Sequence, residues 1–409
     1  MKSEIMMRTT RFLRTTSRTM SWSGVNKTKA SVRLMSRTLS SQVKTKAAKT
    51  GVLMLNMGGP SHPDDTEDFL KRLFQDSDII ELGGGKFQEY LGSFISKRRT
   101  PKVRKQYETI GGSPIRKWTE YQGKEMCKIL DEACPESAPH KAYTAFRYAD
   151  PLTEEALEEM KEDGVEHAIA FSQFPQWSCT TSGSSMNELW REVRRLNMTD
   201  TFRWSVIDRW PVHSGFVNAV VERIEERMSD FEVDDPSKVV VLFSAHSVPM
   251  KVVERGDHYV PEVAATVKKV MERWNKTNKY ILGWQSKVGY VPWMVPSTEH
   301  IIKSLGKRGV RRVLVVPIAF TSDHIETLFE IGEEYAELAE EVGIKEFRFT
   351  EGLNGSETFI SALADIVQDH IESKTNCSSQ YKMKCVTCVK PLCRKILNPA
   401  YPKAIPAEI

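Results

Sequence analysis

The stretch IAFTSDHIETLFEIGEEYAELAEE, residues 318–341, leaves an apolar run and enters a ladder of acids. Asp323, Glu326, Glu330, Glu334, Glu337 and Glu341 recur every three or four positions, a spacing that predicts a single helical stripe of carboxylates. Such a stripe can pass protons or hold a metal. It can equally be the solvated face of a surface helix, since Ile325, Leu328, Phe329, Tyr335 and Leu338 fall on the other side. Asp323, three residues before Glu326, also fits a capping box that only ties down free amides. Two histidines, His213 in DRWPVH and His246 in SAHS, stand just after strand-like runs. An imidazole beside carboxylates in a cleft accepts a proton and passes it on, whereas a lone one can be a hydrogen-bonded core residue.

A second constellation is CVTCVKPLC, with Cys385, Cys388 and Cys393. The C-x2-C-x4-C spacing presents three thiolates on one side of a short loop. A tetrahedral centre needs a fourth ligand, for which Cys127, Cys134, Cys179 and Cys377 are the candidates. Four thiolates hold either structural zinc, slightly favoured by spacing alone, or a [2Fe-2S] cluster. Disulfides are not expected in a reducing interior compartment.

Eight short apolar runs must position these groups: GVLMLNMGGP, AYTAFRY, HAIAFSQFP, FRWSVIDRWPVH, VVVLFSAHS, YILGWQSK, VLVVPIAFTSDH and FRFTEGLNG. Each ends in polar or glycine-containing residues and is followed by a helical stretch, the pattern of parallel strands covered on both faces. Four lie before residue 215 and four after it, predicting an α/β fold of two Rossmann-like, doubly wound domains facing a central cleft. Ligands of such sheets bind beyond the carboxyl ends of the strands. Those ends carry Met57, Arg147, Tyr148, His213, His246, Gln285, Asp323 and Glu326, so these residues are expected to converge. Glu326 then belongs to the cleft, and Glu337 and Glu341, further along, to solvent. Neither a dinucleotide fingerprint nor a phosphate loop follows any strand, and GGGK at 83–86 reads as a flexible loop.

The chain has 409 residues, room for about two domains. Residues 1–50 hold twelve Lys and Arg against Glu4 alone, a net +11 that leaves −7 for the rest of a chain totalling +4. This Arg-, Ser- and Thr-rich, acid-poor start reads as a mitochondrial presequence, in preference to a basic tail or nucleic-acid arm. The acidic body that follows argues against nucleic acid as a partner. No apolar run approaches the ~18 residues of a membrane span.

The motifs LNMGGP, KRRTPKVRKQY, GGSPI, FRYADPLTEEA, DRWP, FSAHSVPM, WQSKVGY and PIAFTSDHIETL occur in that order between Gly51 and Cys393. On them the chain resembles the ferrochelatase family in its mitochondrial form. The resemblance implies a lyase-type metal chelatase that inserts ferrous iron into protoporphyrin IX, giving protohaem and two protons. It implies His246 as the acceptor of pyrrole protons and Glu326, with Asp323, His324, Glu330 and Glu334 behind it, as a path for protons or metal. In some family members this stretch is a wide-turn helix, which would change the alignment of the acids. Met57, Arg147 and Tyr148 would face the other side of the macrocycle, and Arg99, Tyr107 and Ser113 would bind it through its propionates. His213 and Asp365 match positions counted as active. Cys179 matches the fourth ligand of a [2Fe-2S] cluster with Cys385, Cys388 and Cys393.

The resemblance also implies a homodimer resting peripherally on the matrix side of the inner mitochondrial membrane. Residues 51–215 would form the first α/β domain, 216–355 the second, and 356–409 a C-terminal helix and cluster-binding tail. In ELGGGKFQEYLGSFISKRRTP, the residues Phe87, Tyr90, Leu91, Phe94 and Ile95 interleave with basic ones. Unaided, this reads as an amphipathic helix packed in the core; the resemblance makes it a membrane-facing lip. Its GGG, and Phe174 and Trp177 where tyrosine is frequent, depart from the family pattern. Rival readings are a non-catalytic tetrapyrrole or metal carrier on the same scaffold, and a zinc hydrolase, for which no H-E-x-x-H is present.

Overall fold

The computed structural model describes residues 49–289, 291–383, 385–388, 390 and 392–396. The expected presequence lies outside them, except that Lys49 and Thr50 already belong to the folded body: both backbone amides donate to the Pro139 carbonyl. All eight expected strands form. β1 (Thr50–Asn56), β2 (His140–Phe146), β3 (His167–Ser172) and β4 (Arg203–Ile207) make one sheet; β5 (Val240–His246), β6 (Tyr280–Gln285), β7 (Arg312–Pro317) and β8 (Glu346–Phe349) make another. The orders are β2-β1-β3-β4 and β6-β5-β7-β8, the same permutation twice, and every pairing is parallel. In this order the chain reverses direction of progress beside β1 and β5, and side chains at those carboxyl ends face an open crevice.

Parallel strands need crossover helices. After β1 come α1 (Thr66–Gln75), α2 (Gly85–Ile110) and α3 (Ile115–Ala133); α4 (Thr153–Glu162) follows β2, α5 (Ser184–Arg195) follows β3 and α6 (Ser214–Met228) follows β4. In the second half α7 (Met250–Glu254) and α8 (Tyr259–Trp274) follow β5, α9 (Thr298–Lys307) follows β6, α10 (Tyr335–Glu341) follows β7 and α11 (Glu357–Glu372) follows β8. Alternate residues of β1 serve two cores. Val52 and Met54 join one that also takes Val241 and Phe243 of β5 with Phe359 and Leu363 of α11. Leu53 and Leu55 join another beneath α4 and α5. One apolar core thus runs through both sheets.

Residues 376–378 dock on β4. The Val206 amide donates to the Asn376 carbonyl at 2.9 Å and the Ser378 amide to the Val206 carbonyl at 3.1 Å, so residues 376–378 extend the first sheet by a parallel bridge.

Helix α2 corrects the core-helix reading of residues 85–110. Its buried positions are Gln88, Gly92, Ser96 and Tyr107, whereas Phe87, Tyr90 and Phe94 are 59%, 72% and 56% exposed. The small residues are inside because α1 lies too close for larger ones: a Cβ on Gly92 would stand 2.8 Å from the Phe74 carbonyl oxygen. Gln88 is inside because its amide donates to the Phe74 and Ile80 carbonyls and accepts from the Leu82 amide.

At the amino-terminal end of the first sheet, His167 bonds Ser205 Oγ at 2.8 Å, and His370 of α11 is buried nearby. Desolvation, with Arg203 and the neighbouring histidines, holds His167 down to about 4; desolvation alone does the same to His370. Both are therefore neutral when folded and take up protons on unfolding below 6.5. Their stabilisation is complete above pH 6.5 and is lost as pH falls toward 4, at up to ~1.4 kcal/mol per pH unit for each. Denaturant titrations across that window should show this loss, and His167→Gln should flatten it.

Candidate functional site

The carboxyl ends of β5 and β6 and the segment after β7 build one cluster. His246 ends β5 opposite Gln285, its register partner on β6. Beyond β7 the chain enters a π-helix, Glu326–Glu334, which continues as α10. The wide turn divides the acid ladder: Glu326 and Glu330 point inward, while Glu334, Glu337 and Glu341 are exposed.

His246 Nδ1 lies 3.0 and 2.9 Å from the two Glu326 carboxylate oxygens. Gln285 Nε2 donates to Glu326 Oε2 at 3.3 Å and Ser286 Oγ to the same oxygen at 2.9 Å. Ser244 Oγ donates to Gln285 Oε1 at 2.5 Å, which turns the amide nitrogen toward Glu326. Glu330 accepts from the Ser286 amide at 2.9 Å and from Tyr335 at 2.6 Å, and its Oε2 lies 2.5 Å from Ser286 Oγ.

Desolvation alone would push Glu326 up, but His246, the hydrogen bond to it, His324 and Ser286 hold it well below the usual carboxylate range. Desolvation likewise opposes charge on His246, yet the Glu326 carboxylate and Glu330 outweigh it and raise the imidazole. The two shifts agree: this is an ion pair. Glu330 goes the other way, raised by burial and by the charge on Glu326. Paired carboxylates of opposite tendency beside an imidazole are the makings of a proton-transfer centre. The His246 side chain keeps 41% exposure while lying deep in the protein's mass, as at the floor of a recess. Its Nε2 has no hydrogen-bond partner among the described residues.

Asp323 and His324 stand behind the pair. The Asp323 carboxylate accepts from the Gly352 amide at 2.9 Å, Thr327 Oγ1 at 3.0 Å and Asn354 Nδ2 at 2.6 Å, and its own amide donates to Asn354 Oδ1 at 2.8 Å. It clamps the start of the π-helix to the loop after β8. Gly352 is required there, since a Cβ would stand 2.5 Å from the Asp323 amide nitrogen. His324 is buried, held down by desolvation, and stacks on Phe320 at 4.3 Å. Its Nδ1 faces the Ser322 carbonyl at 3.2 Å and its Nε2 has no partner among the described residues.

The other expected residues fall into separate groups. Tyr107 of α2 is buried and raised by desolvation and then by Glu326, so it belongs to the cluster. Arg99 lies over the Phe74 ring at 5.5 Å, and Ser113 is buried with its amide donating to the Pro60 carbonyl. Arg147 pairs with Asp76 and Glu188, each at 3.3 Å, and Tyr148 donates to Asp76 at 2.6 Å. Met57 packs against the apolar group around Tyr148. His213 stands at the N-cap position of α6. The carboxylates acting on it are Asp365 and Asp369 of α11, and desolvation holds it down. Sequence reasoning missed Ser286, Tyr335 and Tyr259, the last buried within reach of the Glu326 charge. Only the position of Ser286, one residue past a strand end in WQSKVGY, pointed to it.

Cys179 opens a short π-helix, Cys179–Gly183, and its amide donates to Asp257 at 2.7 Å. Burial and Asp257 raise its thiol, and Cys385 is a charge neighbour; burial and Asp257 push Cys385 up to about 11, with Cys393 and Cys388 adding to it. The four cysteines are therefore neighbours, although among the described residues no three His, Cys, Asp or Glu side chains are gathered as a metal site. Arg394, 3% exposed, donates to the Gln380 and Tyr381 carbonyls, but its Nε and Nη2 are buried beside Cys385 without partners among the described residues. A guanidinium with free N–H groups among thiols fits an anionic thiolate-bound group there.

The class defined by this geometry is a doubly wound α/β protein with a histidine–carboxylate pair at its strand ends. The family model described as Ferrochelatase matches residues 49–371. The mitochondrial ferrochelatase of Gallus gallus is 52% identical over 354 residues, 86% of this chain and 87% of that protein. Those of Homo sapiens (52%, covering 87% and 84%) and Drosophila melanogaster (46%, covering 85% and 90%) are similar to it along the same span. The chain belongs to the ferrochelatase family, metal chelatases that insert iron into protoporphyrin at the terminal step of haem biosynthesis.

Removing the Glu326 charge leaves desolvation as the main influence on His246. In Glu326→Gln the imidazole should therefore titrate at lower pH than in the parent, which NMR titration of His246 would measure.

Proposed function

We propose that His246 and Glu326 are the acid–base pair of ferrous-iron insertion into protoporphyrin IX. The observation that carries this is the 2.9 Å contact of His246 Nδ1 with Glu326, which leaves Nε2 free of that carboxylate on a side chain 41% exposed. In its neutral form His246 donates Nδ1–H to the carboxylate and presents the Nε2 lone pair to a pyrrole N–H, and the proton taken up restores the imidazolium that Glu326 stabilises. Metallation releases two protons, so the acceptor must be emptied each turnover. Glu330, with Glu334 at the surface, supplies the way out, and His324 with its unpartnered Nε2 stands beside it. Asp323 serves by fixing the π-helix.

Arg99, Tyr107 and Ser113 line the side of α2 and its following turn from which propionates would be held by a guanidinium and hydroxyls. Met57, Arg147 and Tyr148 would meet the opposite macrocycle face, with Asp76 keeping Arg147 oriented. The Asp365 carboxylate acts on His213, which supports a joint role for the two. The domain division is proposed at residues 215 and 355, with the cysteine-rich tail after it.

Cys179, Cys385, Cys388 and Cys393 would hold a [2Fe-2S] cluster, which when bound cross-links the tail to the segment after β3 and can carry one electron. Exposed Phe87, Tyr90 and Phe94 with the basic residues that follow support peripheral contact with the inner mitochondrial membrane on its matrix side. No described helix is long and apolar enough to cross a membrane, and the relatives above are named mitochondrial. A homodimer is proposed from family membership alone.

Anaerobic mixing with protoporphyrin IX and ferrous iron should yield protohaem, and His246→Ala should lower kcat by about 100-fold or more while porphyrin still binds. Retained turnover in that variant would remove His246 as acceptor; binding without turnover in the parent would instead mark a carrier. Cys388→Ser should bleach the visible absorption of the purified protein.

A further inference from the structure

Ser286 poses a proton-counting problem. Its hydroxyl has one hydrogen, yet its oxygen lies within hydrogen-bond distance of two carboxylates, 2.9 Å from Glu326 Oε2 and 2.5 Å from Glu330 Oε2. Two ionised carboxylates cannot both be served by one O–H donor, so the second contact requires a proton on a carboxyl group. Burial and the neighbouring charge favour that proton on Glu330, while Glu326 stays ionised against His246. The resting arrangement is then Glu330 O–H donating to Ser286 Oγ and Ser286 O–H donating to Glu326. Ser286 also adopts φ +64°, a left-handed conformation that a non-glycine residue rarely takes. Its amide donates to Glu330 Oε1, so the unusual backbone is what brings both N–H and O–H to bear on the acids.

We infer that Ser286 is the proton relay between Glu326 and Glu330, passing protons outward by exchanging which carboxylate its hydroxyl serves. This rests on the reading of His246 and Glu326 as the acid–base pair. Neutral His246 takes a pyrrole proton on Nε2 and releases the one on Nδ1 to Glu326, and a turn of the ring that exchanges the two nitrogens readies it for the second pyrrole proton. Once Glu330 has lost its proton toward solvent, Glu326 O–H donates to Ser286 Oγ as Ser286 O–H passes its hydrogen to Glu330. The hydroxyl ends with one hydrogen, Glu326 is again ionised and Glu330 is again protonated. No electron moves and no co-reactant is needed. The groups facing this chain are His246 and Gln285 from the strand ends, His324, Tyr335 from α10, Tyr107 from α2 and Tyr259 from α8. None of them bridges the two acids as Ser286 does among the described residues.

The test is Ser286→Gly in the full chain, because glycine accepts φ +64° and keeps the amide bond to Glu330 while deleting only the hydroxyl. Insertion should slow about tenfold in kcat, with porphyrin KM unchanged. The solvent deuterium isotope effect should rise, and formate or imidazole added as a small proton carrier should restore part of the rate. A Ser286→Gly protein with parental kcat, pH profile and isotope effect would overturn the relay. Equal loss with no rescue and no change in isotope effect would do the same, since it marks a positioning role. Glu326→Gln measured alongside separates the two claims: full activity there sinks the acid–base pair itself, whereas an inactive Glu326→Gln with a normal Ser286→Gly sinks the relay alone.

Discussion

Everything around the recess is arranged to keep an imidazolium and a carboxylate together out of bulk water. A desolvated ion pair is not in itself a source of stability, because removing each charge from water costs about what their attraction returns. It persists where further hydrogen bonds satisfy the remaining lone pairs. Gln285 and Ser286 do this for Glu326, Ser244 holds Gln285 in the useful orientation, and the β5–β6 register sets His246 beside Gln285. The π-helix then aims Glu326 and Glu330 inward together, and the Asp323–Asn354 clamp fixes where that helix begins.

The fold was largely legible because parallel strands buried on both faces leave an unmistakable trace of continuous apolar runs. His246 and Glu326 were legible as well, since each follows such a run. The residues that tune them were not. Ser286 carries no periodicity, and its importance lies in a backbone conformation that no side-chain pattern announces. Helix α2 misled for another reason: apolar spacing says which residues share a face but not whether that face meets protein or solvent. Gly92 and Ser96 are inside because α1 approaches closely, a tertiary fact. His213 satisfied the same strand-end rule as His246, yet the turn after β4 carries it to α11.

The two halves meet through more than apolar packing. Gln176 donates to Thr266 at 3.0 Å, the Trp177 amide to Glu262 at 2.7 Å and the Cys179 amide to Asp257 at 2.7 Å, so the segment after β3 is stitched residue by residue to α8 and the turn before it. Arg209 joins Glu262 from the first half, and Trp177 lies between Arg209 and Arg394, 4.9 and 4.8 Å from its ring centre. Tryptophan at this position keeps the ring packing while offering a larger face to the two guanidinium groups.

Residues 376–378 have a further consequence. By pairing with Val206 they occupy the outer rim of β4, whose amide and carbonyl would otherwise stand unmatched. An uncovered strand rim recruits foreign chains and seeds aggregation. The cysteine-bearing tail therefore also covers the sheet at Val206, and any event that peels it away would open that rim to pairing with another strand.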